Sequence, residues 1–181
     1  DPYSCEMLSA QLSNEVHQVV LDLSDTHNHY FLKQVIEHNK DKLFLFQNAK
    51  FDLRFLMAKG IFIDRVYDTF LAEQVLYNGI KDHRKGLDKL AMRYLNETLD
   101  KSIRGDIHKQ GLTYAVIKYA ADDVRVLPGI KAKQKERALE QELGKAISLE
   151  NLFAVSLAYT EMCGINLNLE DWEKKCKEDD A

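Results

Sequence analysis

The stretch that decides the fold is LFLFQNAKFD, residues 43–52. Its first four residues form a short, continuous apolar run, which is typical of a strand buried in an α/β sheet. The run stops at Gln47 and Asn48, and apolar side chains then recur at helical spacing until Gly60, which has the character of a C-terminal cap. A buried strand that passes directly into a helix predicts an α/β fold.

Asp52 stands just after the point where this strand gives way to the helix. Ligands of open α/β sheets bind beyond the carboxyl ends of the strands. Asp52 therefore either presents a carboxylate to a crevice, with the amides of Gln47 and Asn48 close by, or simply flanks a helix start. Lys50 also has two interpretations: it either contacts a phosphate or is an ordinary solvated lysine at the start of a helix.

Toward the N-terminus, residues 7–13 and 16–23 are two apolar-rich runs separated by a polar pair, which predicts a β-hairpin. Toward the C-terminus, residues 61–67 are a short strand candidate, and Asp68 is expected to be the N-cap of a helix that ends near Gly79. The pattern so far is a hairpin followed by alternating strands and helices.

The rest of the chain is expected to be mainly helical. A helix is predicted around Leu87–Leu95, a loop over Ser102–Gln110, and nearly continuous helix over residues 112–162. Pro128 and Gly129 interrupt that last stretch, so two or three helices are expected there. The fold class is therefore α/β with a helical C-terminal extension.

Composition excludes several classes of protein. With 181 residues, 45% hydrophobic and 30% charged residues and only 2 prolines, the chain is not disordered, collagen-like or a disulfide scaffold. No apolar run approaches the ~18 residues that cross a membrane, and 3 cysteines without a CxxC pair suit a reducing cytosol. The net charge of −4 argues against a protein that coats nucleic acid with a basic surface.

A second polar cluster is YAADD, residues 119–123. Tyr119 and Asp123 are four residues apart, so on a helix they share a face, with small residues between them. Asp122 faces elsewhere and is expected to be solvated. The pair is either part of a site or an ordinary amphipathic helix with a half-buried tyrosine.

Together the two clusters resemble one family. NAKFD (residues 48–52) and YAADD (residues 119–123) are similar to the second and third motifs of the DEDD-type 3′–5′ exonucleases with tyrosine in the third motif. DTFLAEQ (residues 68–74) and GLDKL (residues 86–90) follow in the order that the family uses. The tail from Tyr159 to Trp172 is similar to the stretch where family A DNA polymerases leave the exonuclease domain.

The resemblance implies a ribonuclease H-like exonuclease fold, a mixed sheet flanked by helices, and a two-metal site. It makes Asp52 and Asp123 ligands of two Mg²⁺ ions, with Mn²⁺ as a substitute, because hydrolysis of a phosphodiester needs its charge neutralised by hard cations with oxygen ligands. Tyr119 would orient the attacking water. Gln47, Asn48 and Phe51 would lie along the bound 3′ end of single-stranded DNA.

One departure from the family is the missing first motif, an Asp-Xaa-Glu pair on the opening strand. The chain has this pattern only at Asp171-Trp172-Glu173, in the C-terminal tail. Because the chain opens at Asp1-Pro2-Tyr3, the missing motif is expected immediately upstream, in a longer protein. Without it, these residues alone are expected to hydrolyse slowly or not at all.

The resemblance also implies an organisation and partners. Residues 1–145 would be an exonuclease-like domain lacking its first strand, and residues 146–181 a helical segment leading toward a polymerase domain of the same chain. The function would be proofreading during DNA replication, in the cytoplasm of a bacterial or phage-infected cell, without a membrane. Two alternatives stay open: a ribonuclease D-like RNA 3′ exonuclease, and a catalytically dead scaffold that binds nucleic acid.

Overall fold

A computed structural model of the chain describes residues 2–14, 16–100 and 111–179. The predicted hairpin, the alternating strands and helices and the helical C-terminal third are all present; the loop predicted over Ser102–Gln110 lies outside the described residues. In chain order the described elements are β1 (Ser9–Ser13), β2 (Gln18–Asp22), α1 (Thr26–His38), β3 (Phe44–Phe46), α2 (Ala49–Ala58), β4 (Val66–Asp68), α3 (Thr69–Leu76), α4 (Leu87–Leu95), α5 (Tyr114–Arg125), α6 (Leu127–Glu140), α7 (Gly144–Cys163) and α8 (Leu169–Asp179).

The strands form two small sheets within the described residues. β1 and β2 pair antiparallel as the predicted hairpin, and β3 pairs parallel with β4. Phe46 lies opposite Asp68, so the carboxyl ends of β3 and β4 meet at one edge. Since α2 follows β3 and α3 follows β4, both helices begin at that edge. The α/β class is confirmed, with the expected mixed sheet represented here by two short pairs of strands.

Local sequence signals set the helix boundaries. The Asp25 side chain accepts a hydrogen bond from the amide of His27 and caps α1, and Asp68 caps α3 by accepting from the amide of Phe70. Gly60, with φ at 69°, follows the end of α2 in the left-handed region that glycine tolerates best. The strand predicted over residues 61–67 is shorter than expected, since β4 begins only at Val66.

The interruption predicted at Pro128 and Gly129 falls slightly earlier, at Val126, and both residues lie inside α6. Val126 ends α5 and directly precedes α6, and Pro128 lies in the first turn of α6, where its missing amide costs nothing. A Cβ atom on Gly129 would lie 2.9 Å from Cδ2 of Leu95, so glycine lets α6 approach α4 closely. The expectation of two or three helices in this region is confirmed, since α5, α6 and α7 lie there.

The main core lies between the hairpin, α1 and α2. It is built from buried aliphatic side chains, among them Leu21, Leu32, Ile36, Leu53 and Ile63. Two smaller clusters join α4 to α6 and α3 to α6 and α7. α5 covers the hairpin. The result is one contiguous set of elements around the edge where β3 and β4 end.

Helix α7 belongs to this packing arrangement. It contacts α2, α3 and β4, and Ala158 is fully buried in the main core. Its outer face is also apolar, and Leu149 and Leu152 are largely exposed. In the described part of the chain, no helix is both long and apolar enough to cross a membrane.

Candidate functional site

Asp52 lies in the first turn of α2, directly beyond the carboxyl end of β3, as predicted. The side chain is partly buried. Burial raises the pKa of its carboxyl group from the ordinary value of 3.8 to about 6; a hydrogen bond from its own backbone amide opposes this rise in part, and the negative charge of Asp68 adds a smaller increase. Among the described residues, no side chain forms a hydrogen bond or ion pair with this carboxylate.

The start of α2 is fixed by Asp68. Its buried carboxylate accepts hydrogen bonds from the backbone amides of Asn48 (2.8 Å) and Ala49 (2.8 Å), and from the amide of Phe70 (2.8 Å) at the start of α3. One side chain therefore caps two helices whose first turns face the same edge. The sequence predicted the cap of α3; the bonds to α2 join residues about twenty positions away and had no local signal.

The three residues expected along a bound 3′ end differ from one another in exposure and in hydrogen bonding. Phe51 is 51% exposed, so its ring is open to stacking. Asn48 is exposed and its side chain makes no capping hydrogen bond. Gln47 is engaged at both ends: its Nε2 donates to the carbonyl of Lys85 (2.9 Å), and its Oε1 accepts from the hydroxyl of Thr69 (2.6 Å). In this structure Gln47 holds the loop before α4 against α3.

Tyr119 and Asp123 lie on α5, the helix that packs on the hairpin. Both are partly buried, next to the buried face formed by Val116 and Ala120. Asp122, expected to be solvated, pairs with Arg125 at 3.2 Å on the exposed side. The shared face predicted for Tyr119 and Asp123 is therefore present. Their assignment to one site with Asp52 stays a prediction.

The chemistry of Asp52 fits a metal ligand. A partly buried carboxylate with a raised pKa and a second carboxylate nearby is destabilised when ionised, and a hard cation would relieve that cost. Within the described residues, however, no three side chains of His, Cys, Asp or Glu are grouped to hold a metal. Asp52 and Asp123 supply the right donor type, and the described part does not assemble a full ligand set.

Two residues on α7 complete the surroundings of α2 and were missed from the sequence. The Oδ1 atom of Asn151 accepts a hydrogen bond from the amide of Asp68 (2.5 Å), and its Nδ2 donates to the carbonyl of Ile147 (2.8 Å). Glu161 forms ion pairs with Lys50 (2.8 Å) and Arg54 (3.2 Å). The signal available for Asn151 was a polar residue on a helix face that is otherwise apolar.

Comparison with known proteins agrees with this arrangement. The chain is 27% identical over 186 aligned residues to DNA polymerase I of Aquifex aeolicus (strain VF5), covering 92% of this chain and 31% of that protein. The chain thus spans about a third of the length of this relative. The aligned region covers nearly the whole of this chain, including α7.

Solved structures show the same fold. The catalytic core of RRP6 from Trypanosoma brucei superposes with a TM-score of 0.69 at 20% identity, over 80% of this chain and 40% of that one. A protein from Bifidobacterium adolescentis superposes with a TM-score of 0.64 at 22% identity, over 77% and 33%. At these identities the likeness concerns the fold.

The family assignment rests on sequence. The profile of the 3′–5′ exonuclease found in family A DNA polymerases matches residues 1–137, which include both polar clusters. The expected ribonuclease H-like exonuclease fold is confirmed by this match and by the structural neighbours. The chain belongs to the 3′–5′ exonuclease domain family of the A-type DNA polymerases.

Proposed function

We propose that the chain is the proofreading 3′–5′ exonuclease domain of a family A DNA polymerase, acting on the unpaired 3′ end of DNA during replication. The observation that carries the proposal is Asp52, a partly buried carboxylate with a raised pKa at the strand edge where α2 and α3 begin. Burial and the charge of Asp68 destabilise the ionised carboxylate, and a bound cation would offset that cost. The resemblance of residues 1–137 to the exonuclease family gives the reaction class.

The roles in the proposed reaction follow from the chemistry of each side chain. Asp52 and Asp123 would hold two Mg²⁺ ions, which supply electrostatic stabilisation of the attacking and leaving oxygens. Tyr119 would hold the attacking water by its hydroxyl group. Phe51 would stack on the terminal base and Asn48 would hydrogen-bond the sugar or phosphate. Gln47, which is hydrogen-bonded to Thr69 and Lys85, would hold the loop before α4 in place at the side of the crevice.

A polymerase domain in the same chain and an intracellular, cytoplasmic location are part of the proposal. They are supported by the likeness to DNA polymerase I of Aquifex aeolicus, of which this chain spans 31%. The division into an exonuclease-like part (residues 1–145) and a segment leading onward (residues 146–181) is proposed on the same ground.

The decisive experiment uses a version extended upstream to include an Asp-Xaa-Glu motif. The extended protein should shorten single-stranded DNA from its 3′ end in Mg²⁺, and Asp52→Ala and Asp123→Ala should each lower the rate by at least about 10²-fold while leaving the circular dichroism spectrum intact. The 181-residue chain alone should be slow or inactive. Unchanged rates in both variants would overturn the assignment of these carboxylates.

A second candidate is an RNA 3′ exonuclease of the ribonuclease D kind. The observation that favours it is the structural likeness to the RRP6 catalytic core. Paired DNA and RNA 3′ ends of equal sequence separate the two: a preference for DNA supports proofreading, and equal or faster cleavage of RNA supports the alternative. Single-strand binding without any hydrolysis by the extended protein would establish a catalytically dead scaffold.

A further inference from the structure

On the surface of α2, two cationic side chains follow a pair of aromatic side chains, on the side away from Asp52. Successive residues of an α-helix are rotated by about 100°. Going around the axis from Asp52, Phe55 and Phe51 come first, and then Arg54 and Lys50 on the far side. The rings of Phe51 and Phe55 lie 5.0 Å apart. The surface of α2 therefore runs from a carboxylate over aromatic rings to two positive charges.

The two cations are held by one carboxylate from α7. Glu161 accepts from Lys50 at 2.8 Å through Oε1 and from Arg54 at 3.2 Å through Oε2. About a third of each of the three side chains is exposed (38%, 30% and 32%), so the cluster faces solvent. It stands at the junction of α2 and α7, where a ligand could approach from outside.

The Arg54 guanidinium is incompletely satisfied by this arrangement. It donates to Glu161 through NH1 alone, and its Nε is buried without a hydrogen-bond partner in the described part of the chain. Guanidinium groups favour two parallel bonds to a carboxylate or a phosphate. A phosphate has more acceptor oxygens than a carboxylate, so it could replace Glu161 on both Lys50 and Arg54 and still have oxygens left for further donors.

We propose that Lys50 and Arg54 form a phosphate contact for single-stranded nucleic acid that crosses Phe51 and Phe55, and that Glu161 occupies this contact in the unbound protein. The inference rests on the proposed function, because it concerns the same strand that would enter the site at Asp52. Aromatic rings bordered by cations are the usual means of holding a single strand without reading its sequence. Binding would exchange the carboxylate of Glu161 for a phosphodiester.

Removal of the competing carboxylate tests the proposal. Affinity for a fluorescein-labelled 12-nucleotide oligothymidylate is measured by fluorescence anisotropy at low salt in EDTA, so that nothing is hydrolysed. Glu161→Gln should tighten binding about three- to tenfold, and should steepen the salt dependence by about 0.7 in the log–log slope for each additional phosphate that the protein neutralises.

A matched control separates this effect from net charge. Glu136→Gln removes the same charge from an exposed ion pair with Lys133 on α6, and should change affinity less than twofold. In the background Lys50→Gln with Arg54→Gln, binding should weaken and Glu161→Gln should lose its effect. Equal tightening by both glutamate variants, or tightening that persists without the two cations, would overturn the proposal.

The outcomes also distinguish the inference from the function on which it rests. Binding that is clear but insensitive to Glu161 would overturn this inference alone and leave the exonuclease proposal standing. Absence of binding by the parent chain and every variant up to millimolar protein would overturn the inference, and would also count against single-stranded nucleic acid as the substrate. Circular dichroism of each variant confirms that it is folded.

Discussion

At the residue scale, the ionised carboxylate of Asp52 lowers the stability of the folded chain. Its pKa is raised from 3.8 to about 6, chiefly by burial and to a smaller extent by the charge of Asp68, so the folded protein favours the protonated acid. That shift corresponds to about 3 kcal/mol of differential stability between the two protonation states. The stabilising contribution of the protonated form is fully present below pH 3.8 and is lost as the pH rises through about 6.

Asp52→Asn should therefore stabilise the metal-free chain at pH 8, by about 1–3 kcal/mol. The advantage should shrink as the pH falls through 6 toward 4, because Asp52 of the parent protein then becomes neutral too. Urea unfolding in EDTA at pH 8, 6 and 4.5 measures the difference.

Asp64→Asn is the matched control, since it removes an exposed carboxylate from the loop before β4. Its effect on the free energy of unfolding at pH 8 should be small, because the side chain is exposed. A loss of stability at pH 8 in Asp52→Asn would contradict the interpretation of Asp52 as an ionised group that the fold does not neutralise.

At the element scale, one capping residue controls two helix starts. Asp68 is 2% exposed and binds the amides at the beginning of both α2 and α3, whereas Asp25 is an exposed cap of α1 alone. An ordinary N-cap contributes about 1 kcal/mol, and each hydrogen bond to a charged group about 1.5–3 kcal/mol. The two caps have similar sequence contexts, but Asp25 binds the start of one helix and Asp68 binds the starts of two.

Asp68→Ala should cost about 3 kcal/mol or more in the free energy of unfolding, and Asp25→Ala about 1 kcal/mol or less. Urea titration of both variants beside the parent protein gives the comparison. Amide hydrogen exchange should report where the damage lies, since the amides of Asn48 and Ala49 lose their acceptor. Equal costs for the two variants would show that the bonds from Asp68 to α2 contribute nothing.

The same comparison shows what the sequence could predict. The N-cap of α3, the strand–helix junction at Asp52 and the shared face of Tyr119 and Asp123 follow from local spacing, and the structure has all of them. The bonds of Gln47 to Lys85 and of Asn151 to Asp68 join distant segments. No local pattern encodes such pairs, so the way the site is supported had to come from the structure.

At the scale of the whole molecule, α7 crosses the proposed domain boundary at residues 145 and 146. The family match ends at residue 137, yet the α7 side chains Ile147, Asn151 and Ala158 are all buried within the exonuclease fold. Asn151 also binds the backbone of Asp68. Helix α8, by contrast, has no buried residue. The two C-terminal helices therefore contribute very differently to the stability of the chain.

Two truncations test this division. A chain ending at residue 166 keeps α7 and should unfold cooperatively within about 1 kcal/mol of the full 181 residues, because the lost helix α8 contains no buried residue. A chain ending at residue 142 loses α7, which uncovers one side of α2 and leaves the amide of Asp68 without its partner. That chain should lose its cooperative thermal transition, measured by circular dichroism, and its dispersed amide spectrum. A cooperative transition preserved in the shorter chain would show that the exonuclease domain ends before α7, whereas its loss would mean that the helix leading onward is also a structural part of the nuclease.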